Sequence, residues 1–258
     1  MLDVISAFFI PPGLTAFSFY ILLIINFAAA FLSVVCAVGG GTLLVASMAV
    51  WLPVSVVIPV HAAIQLSSNI ARVGISFRSI DWSLAISLSS GTLVGIGIGM
   101  LILPKIPAGV VQIILGAFVL YTLWGVMPKP RHAPAWLSGF VGVFTGGLSM
   151  LVGATGPLLA AYVRTAPLGR FSTIGVLALT LTLQNALKVM AFITLGFAFA
   201  QYVPFIGLMI LIGLLGTWAG RLAVGRMDEA FFQQLLRVAL TLLSLRLGYT
   251  GIRSLLAG

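Results

Sequence analysis

Between Asp3 and Arg72 the chain carries no charged residue, and the same silence recurs between Asp81 and Lys105, Lys105 and Lys129, Arg131 and Arg164, and Lys188 and Arg221. Each gap can hold at least one helical crossing of a bilayer, which takes roughly 20 apolar residues. Of 258 residues, 61% are hydrophobic and 7% charged, whereas water-soluble domains are about a quarter charged. A globule in water would leave apolar surface that nothing could cover, so the solvent for this chain is lipid. In lipid every backbone N–H and C=O must be paired within the protein, which leaves helices or closed barrels. The apolar–polar alternation of barrel strands is missing. The expectation is an all-α, polytopic transmembrane helical bundle.

The apolar runs fall at roughly 17–38, 54–77, 82–103, 108–126, 136–163, 171–199, 203–222 and 231–253, about eight membrane segments. The first and fifth are the ones open to another reading, because 42–52 follows the triple glycine at 39–41 and 154–163 follows Gly153, so either can be a half-helix or re-entrant piece. Residues 1–16, with Asp3 and Pro11-Pro12-Gly13, form a short interfacial lead-in. No Lys or Arg precedes the first apolar run, so a cleaved targeting peptide is not expected. A polar, proline-rich linker at 127–135 divides the chain into a first transmembrane repeat, 17–126, and a second, 136–258.

The halves resemble each other. Gly41-Thr42-Leu43-Leu44 matches Gly156-Pro157-Leu158-Leu159, and Asn69 and Arg72 match Asn185 and Lys188 at nearly the same offset. Gly91, Gly97 and Lys105 fall on Gly207, Gly213 and Arg221. Two homologous four-segment repeats are the expectation, a hallmark of secondary transporters whose sites lie between the repeats and use interrupted helices. Simple alternation puts Arg78, Lys129 and Arg131 on one face but Arg164, Arg170, Arg221 and Arg226 on the other. That violates the positive-inside pattern and is what an inverted half with an extra re-entrant element would produce.

Two constellations carry chemistry. Gly39-Gly40-Gly41-Thr42 and Gly153-Ala154-Thr155-Gly156-Pro157 break helices, and a helix restarting inside a lipid-excluded cavity offers unpaired N–H groups and a favourable dipole to an anion. The alternative for such glycines is close helix packing, the reading given to Gly91-x-x-x-Gly95-x-x-x-Gly99 and Gly216-x-x-x-Gly220. The second is a polar stripe, Gln65, Ser68, Asn69 and Arg72, spaced to share one helix face and repeated as Gln184, Asn185 and Lys188. Ionisable groups inside a span face a cavity or a partner. Arg72 has snorkelling to the interface as its alternative, and Arg246 is assigned to snorkelling or packing. His61 reads as a hydrogen-bonded structural residue, with anion donation or proton shuttling as the alternative. The five tryptophans, near predicted span ends, read as interfacial anchors.

Other classes lose support on the same residues. The 13 Lys and Arg are scattered singly rather than clustered, which argues against nucleic acid. One Cys, Cys36, and two separated histidines offer no metal centre, and no cofactor is expected. Asp3, Asp81, Asp228 and Glu229 lie at termini or in loops, which leaves no carboxylate for a mid-membrane proton relay or cation site. No acidic dyad or Ser-His-Asp set occurs in the spans, so an enzyme is not expected. A dianion leaving a cell that is negative inside gains about 2.3 kcal/mol per charge per 100 mV, so its export needs no coupled ion.

Gly39-Gly40-Gly41-Thr42-Leu43-Leu44-Val45 with the Ala62–Asn69 stretch resembles the first-repeat signature of the sulfite exporter TauE/SafE family, also called the 4-toluene sulfonate uptake permease family. Gly139-Phe140-Val141-Gly142 through Gly153-Ala154-Thr155-Gly156-Pro157-Leu158 is similar to its second-repeat signature. Ala46 departs from the proline expected after the glycine run. The resemblance spans about 27–255 and implies a multi-pass carrier in the bacterial inner membrane for sulfite, sulfonates or related sulfur oxyanions. The expected function is export of sulfite or a sulfonate by alternating access. The substrate-binding set is Gly39, Gly40, Gly41, Thr42, Ser68, Asn69, Arg72, Gly153, Thr155, Gly156, Gln184, Asn185 and Lys188. Partners are a small anion and the lipid bilayer, and a homo-oligomer is compatible with this reading. The alternatives are proton-coupled uptake of an organosulfonate or other organic anion through His61, and a non-transporting membrane assembly protein.

Overall fold

A computed structural model describes residues 8–35, 39–125, 135–223 and 229–256. Within them the chain is helical, with no strand: α1 (Ala16–Val35), α2 (Gly40–Trp51), α3 (Val54–Ser76), α4 (Trp82–Ile102), α5 (Ala108–Trp124), α6 (Ala135–Val152), α7 (Gly156–Val163), α8 (Arg170–Thr194), α9 (Val203–Ala223) and α10 (Glu229–Leu256). Of these, six are long and apolar enough to cross a membrane, namely α1, α3, α4, α8, α9 and α10. Helices α2, α5 and α6 are shorter apolar helices, and α7 has eight residues. The expected count of about eight crossings thus stands against six helices of spanning length. Where four segments per half were expected there are five helices: α2 falls between the expected segments 17–38 and 54–77, and the expected segment 136–163 is divided near Gly153 into α6 and α7. The linker expected at 127–135 lies, apart from Ala135, outside the described residues.

Local sequence sets the ends. Asp81 caps α4, its Oδ1 accepting from the Leu84 N–H at 3.0 Å, so this carboxylate is used structurally. Pro53 and Pro107 precede α3 and α5 with φ of −58°, and Pro157 sits in the first turn of α7, where its missing N–H leaves no gap.

The long helices pair through small residues. Lipid tails are as apolar as leucine, so association in a membrane relies on close packing, and glycine allows it. A Cβ at Gly91 would strike the Gly139 carbonyl, one at Gly95 the Val143 carbonyl and one at Gly99 the Gly147 and Met150 region, so α4 and α6 run parallel in backbone contact. Gly213, Gly216 and Gly220 of α9 meet Asn26, Phe27 and Phe31 of α1 in the same sense. Gly109 faces Gly251 and Gly116 faces Ser244, so α5 and α10 are antiparallel. In α3 and α8, Ser76 lies against Gly175, while His61 and Lys188 both reach Gly153, so this pair is also antiparallel.

These pairings are reciprocal. The first helix of each half packs against the fourth of the other, and the third and fifth pack on their counterparts. Large apolar side chains such as Phe17, Ile86, Leu101, Leu211 and Leu242 face outward, where lipid would cover them. Trp82, Trp124, Trp136 and Trp218 are exposed near helix ends, whereas Trp51 is half-buried at the end of α2.

Candidate functional site

The two glycine breaks meet at the centre. Gly39 and Gly153 hold left-handed backbone at φ +105° and +74°, a conformation that L side chains rarely adopt. Space is closed there too: a Cβ at Gly39 would lie 2.7 Å from Leu236 Cδ2, and one at Gly153 would lie 2.8 Å from Val45 Cγ2. The helix that restarts after Gly39, α2, is buried from Thr42 to Ala49 and has no side-chain cap, so the N–H groups of its first turn are left for another acceptor.

Beside that turn lies a cavity of about 40 Å³ between α1, α2, α3 and α9. By this measure a water needs about 10–15 Å³, so the space suits a few waters or one small ion. Gly40 and Gly41 form one wall, Gln65, Ser68 and Arg72 of α3 another, and Asn26, Ser33 and Thr217 supply further polar groups. Arg72 is exposed, its Nη1 3.4 Å from Asn69 Oδ1, and Asn69 is buried. The Ser68 hydroxyl donates to Gln65 O at 3.0 Å, with Oε1 at 3.1 Å, while Asn26 Nδ2 donates to Met209 O at 2.6 Å. Among the described residues no carboxylate lines the cavity.

The matching region of the second half is closed. Lys188 is fully buried, and its ammonium donates to the Gly153 carbonyl at 2.6 Å. Thr155 Oγ1 donates to Gln184 Oε1 at 2.9 Å, and Gln184 Nε2 donates to Thr145 O at 3.3 Å, tying the start of α7 to α6 and α8. Asn185 is buried without a hydrogen bond to a described residue. His61 joins the two breaks: its Nε2 lies 3.0 Å from Gly41 O, and its buried Nδ1, which has no partner among the described residues, lies 3.9 Å from a Cβ placed on Gly153. A carbonyl only accepts, so in the neutral ring Nε2 carries the proton.

The sequence-derived site residues therefore fall into two groups. Gly40, Gly41, Ser68 and Arg72 line the cavity, with Asn69 behind them. Gly153, Thr155, Gln184 and Lys188 form the sealed network, with Asn185 buried on the same helix and Gly156 at the restart of α7, while Gly39 and Thr42 line a second cavity described below. Arg72 and Lys188 fall in separate groups: Arg72 lines the first cavity, and Lys188, bonded to Gly153, does not. Sequence reading missed Asn26 and Thr217. A lone amide within an otherwise apolar run was the available signal for Asn26.

A family model described as Sulfite exporter TauE/SafE matches residues 22–247. No curated protein and no solved structure matches the chain.

Proposed function

Because the chain belongs to the sulfite exporter TauE/SafE family, a family of multi-pass membrane transporters, we propose that it carries sulfite or a related sulfur oxyanion outward across the bacterial inner membrane by alternating access. The observation that carries this reading is the cavity in which Arg72 and the uncapped first turn of α2 face each other, with no carboxylate on the wall among the described residues. A guanidinium and free backbone N–H groups both favour an oxyanion, and half-helix N-termini aimed at anionic groups are a recurring transporter device. Arg72 supplies charge, Ser68 and Asn69 supply hydrogen bonds, and Lys188 holds the opposite break shut.

The halves act as inverted repeats. A two-fold relation that pairs a helix antiparallel with its own counterpart has its axis in the membrane plane, and α3 with α8 and α5 with α10 are such pairs. Their asymmetry supports alternating access: Arg72 lines a cavity beside the first break whereas Lys188 is bonded to the second, and these are two ends of one cycle. In the opposite state Lys188 would release Gly153 and the Arg72 cavity would close.

Sulfite efflux from proteoliposomes tests this. Arg72→Gln is expected to lower flux about tenfold or more, the effect of losing one charge-assisted contact, with Arg72→Lys retaining part of it. Unchanged flux in Arg72→Gln would remove Arg72 from the site. The buried, unpartnered Nδ1 of His61 favours a second reading, proton-coupled uptake of an organosulfonate. Reversing the pH gradient separates the two, because uncoupled export ignores it.

A further inference from the structure

A second cavity, of about 140 Å³, lies on the other side of the α2 first turn, between α2, α5, α7 and α10. The four residues Gly39 to Thr42 form the partition: Gly40 and Gly41 face the first cavity, while Gly39 and Thr42 face the second. Pro157, in the first turn of α7, also lines it, so both helix restarts border this space.

Its polar groups point to an anion. Among the described residues Arg237 of α10 is the cation on its wall, and no carboxylate lines it. The guanidinium carbon lies 5.5 Å from the ring centre of Trp124, whose indole N–H donates to Thr241 at 3.0 Å. That contact places the guanidinium of the exposed Arg237 against an aromatic face, and among the described residues its N–H groups have no hydrogen-bond acceptor. Thr42 is 3% exposed, and its hydroxyl makes no hydrogen bond to a described residue. A ligand oxygen in the cavity would satisfy it.

We infer that this cavity is a second anion station on the transport path, in which Arg237 and Thr42 receive the oxyanion after it passes the first turn of α2. The inference rests on the carrier reading above. Two stations, each with one arginine, separated by one turn of backbone, let an anion move without a long stretch of uncompensated charge in lipid. The station takes small oxyanions with −1 or −2 charge, which fit a space of about 140 Å³ beside one guanidinium.

The test uses the full chain in vesicles of phosphatidylcholine alone and in vesicles containing phosphatidylglycerol, with sulfite flux measured against concentration. Arg237→Gln is expected to raise KM about tenfold or more in both, Arg237→Lys to restore most of it, and Arg246→Gln, on the same helix but lining neither cavity, to match wild type. Raising inert salt from ~0.05 to ~0.5 M should lower wild-type flux and leave Arg237→Gln nearly unchanged, a response that a merely structural arginine would not give. Wild-type kinetics in Arg237→Gln would overturn the inference while leaving the carrier reading intact. A defect confined to phosphatidylglycerol vesicles would overturn it in favour of a lipid headgroup. Absence of sulfite flux in wild type would overturn the carrier reading first, and the station with it.

Discussion

The Lys188 ammonium donates to the carbonyl of Gly153 at 2.6 Å, so a charge carried on α8 is tied to the backbone that separates α6 from α7. An ammonium has three donors, and this one has a single acceptor among the described residues. Asp81, the one acid whose side chain is described, is engaged at the start of α4. A buried cation without a carboxylate is costly to keep, and its retention fits a part in moving an anion.

Lys188→Met is therefore expected to cut sulfite flux about tenfold or more while the protein stays folded, because relief of the buried charge offsets a lost hydrogen bond worth about 1–3 kcal/mol. Flux in proteoliposomes and thermal unfolding in detergent check the two halves of the statement. A large fall in Tm together with the flux would assign Lys188 to structure alone.

Gly153→Ala should destabilise the protein by about 1–3 kcal/mol, since the left-handed backbone is strained for alanine. The added methyl would also press on Val45. Gly156→Ala, three residues on, meets only Leu181 Cδ1 at 3.8 Å and should be tolerated. Equal Tm values for the two variants would contradict the geometry.

On α4, Gly95→Ala drives a methyl into the Val143 backbone of α6, whereas Gly97→Ala meets nothing within 4 Å. The first should lower Tm clearly, and the second should raise stability by about 0.5–1 kcal/mol through helix propensity. Unfolding curves of both variants under one detergent condition decide it.

His61→Leu leaves the Gly41 carbonyl without its imidazole partner, a cost of about 1–3 kcal/mol. His61→Gln keeps a donor and should preserve both stability and uncoupled sulfite efflux. Loss of efflux in His61→Gln with unchanged Tm would favour the proton-coupled reading.

Much of the fold was legible in the sequence because lipid is a severe solvent. Charge-free stretches longer than a bilayer crossing, such as that from Asp3 to Arg72, leave a helix as the local solution, and glycine clusters mark where helices must break. The stripe Gln65, Ser68 and Arg72 was legible for a similar reason, since three- and four-residue spacing puts side chains on one helix face whatever surrounds them. Sequence matching of glycines carried less: Gly91 packs against α6, but its match Gly207 meets nothing.

Partnership between distant helices lay beyond the sequence. That Lys188 would bond a backbone carbonyl, and that Arg72 would open onto a cavity that Lys188 does not line, follow from how α3 and α8 pack among their neighbours. Arg237 gave no signal in its own segment; it gained a setting only when α10 packed beside α5 and the break at Gly39. Periodicity and solvent act along the chain, so the sequence by itself determined the helices, their breaks and their polar faces. Which faces meet depends on close contact between residues far apart in the chain, and only the tertiary structure decided that.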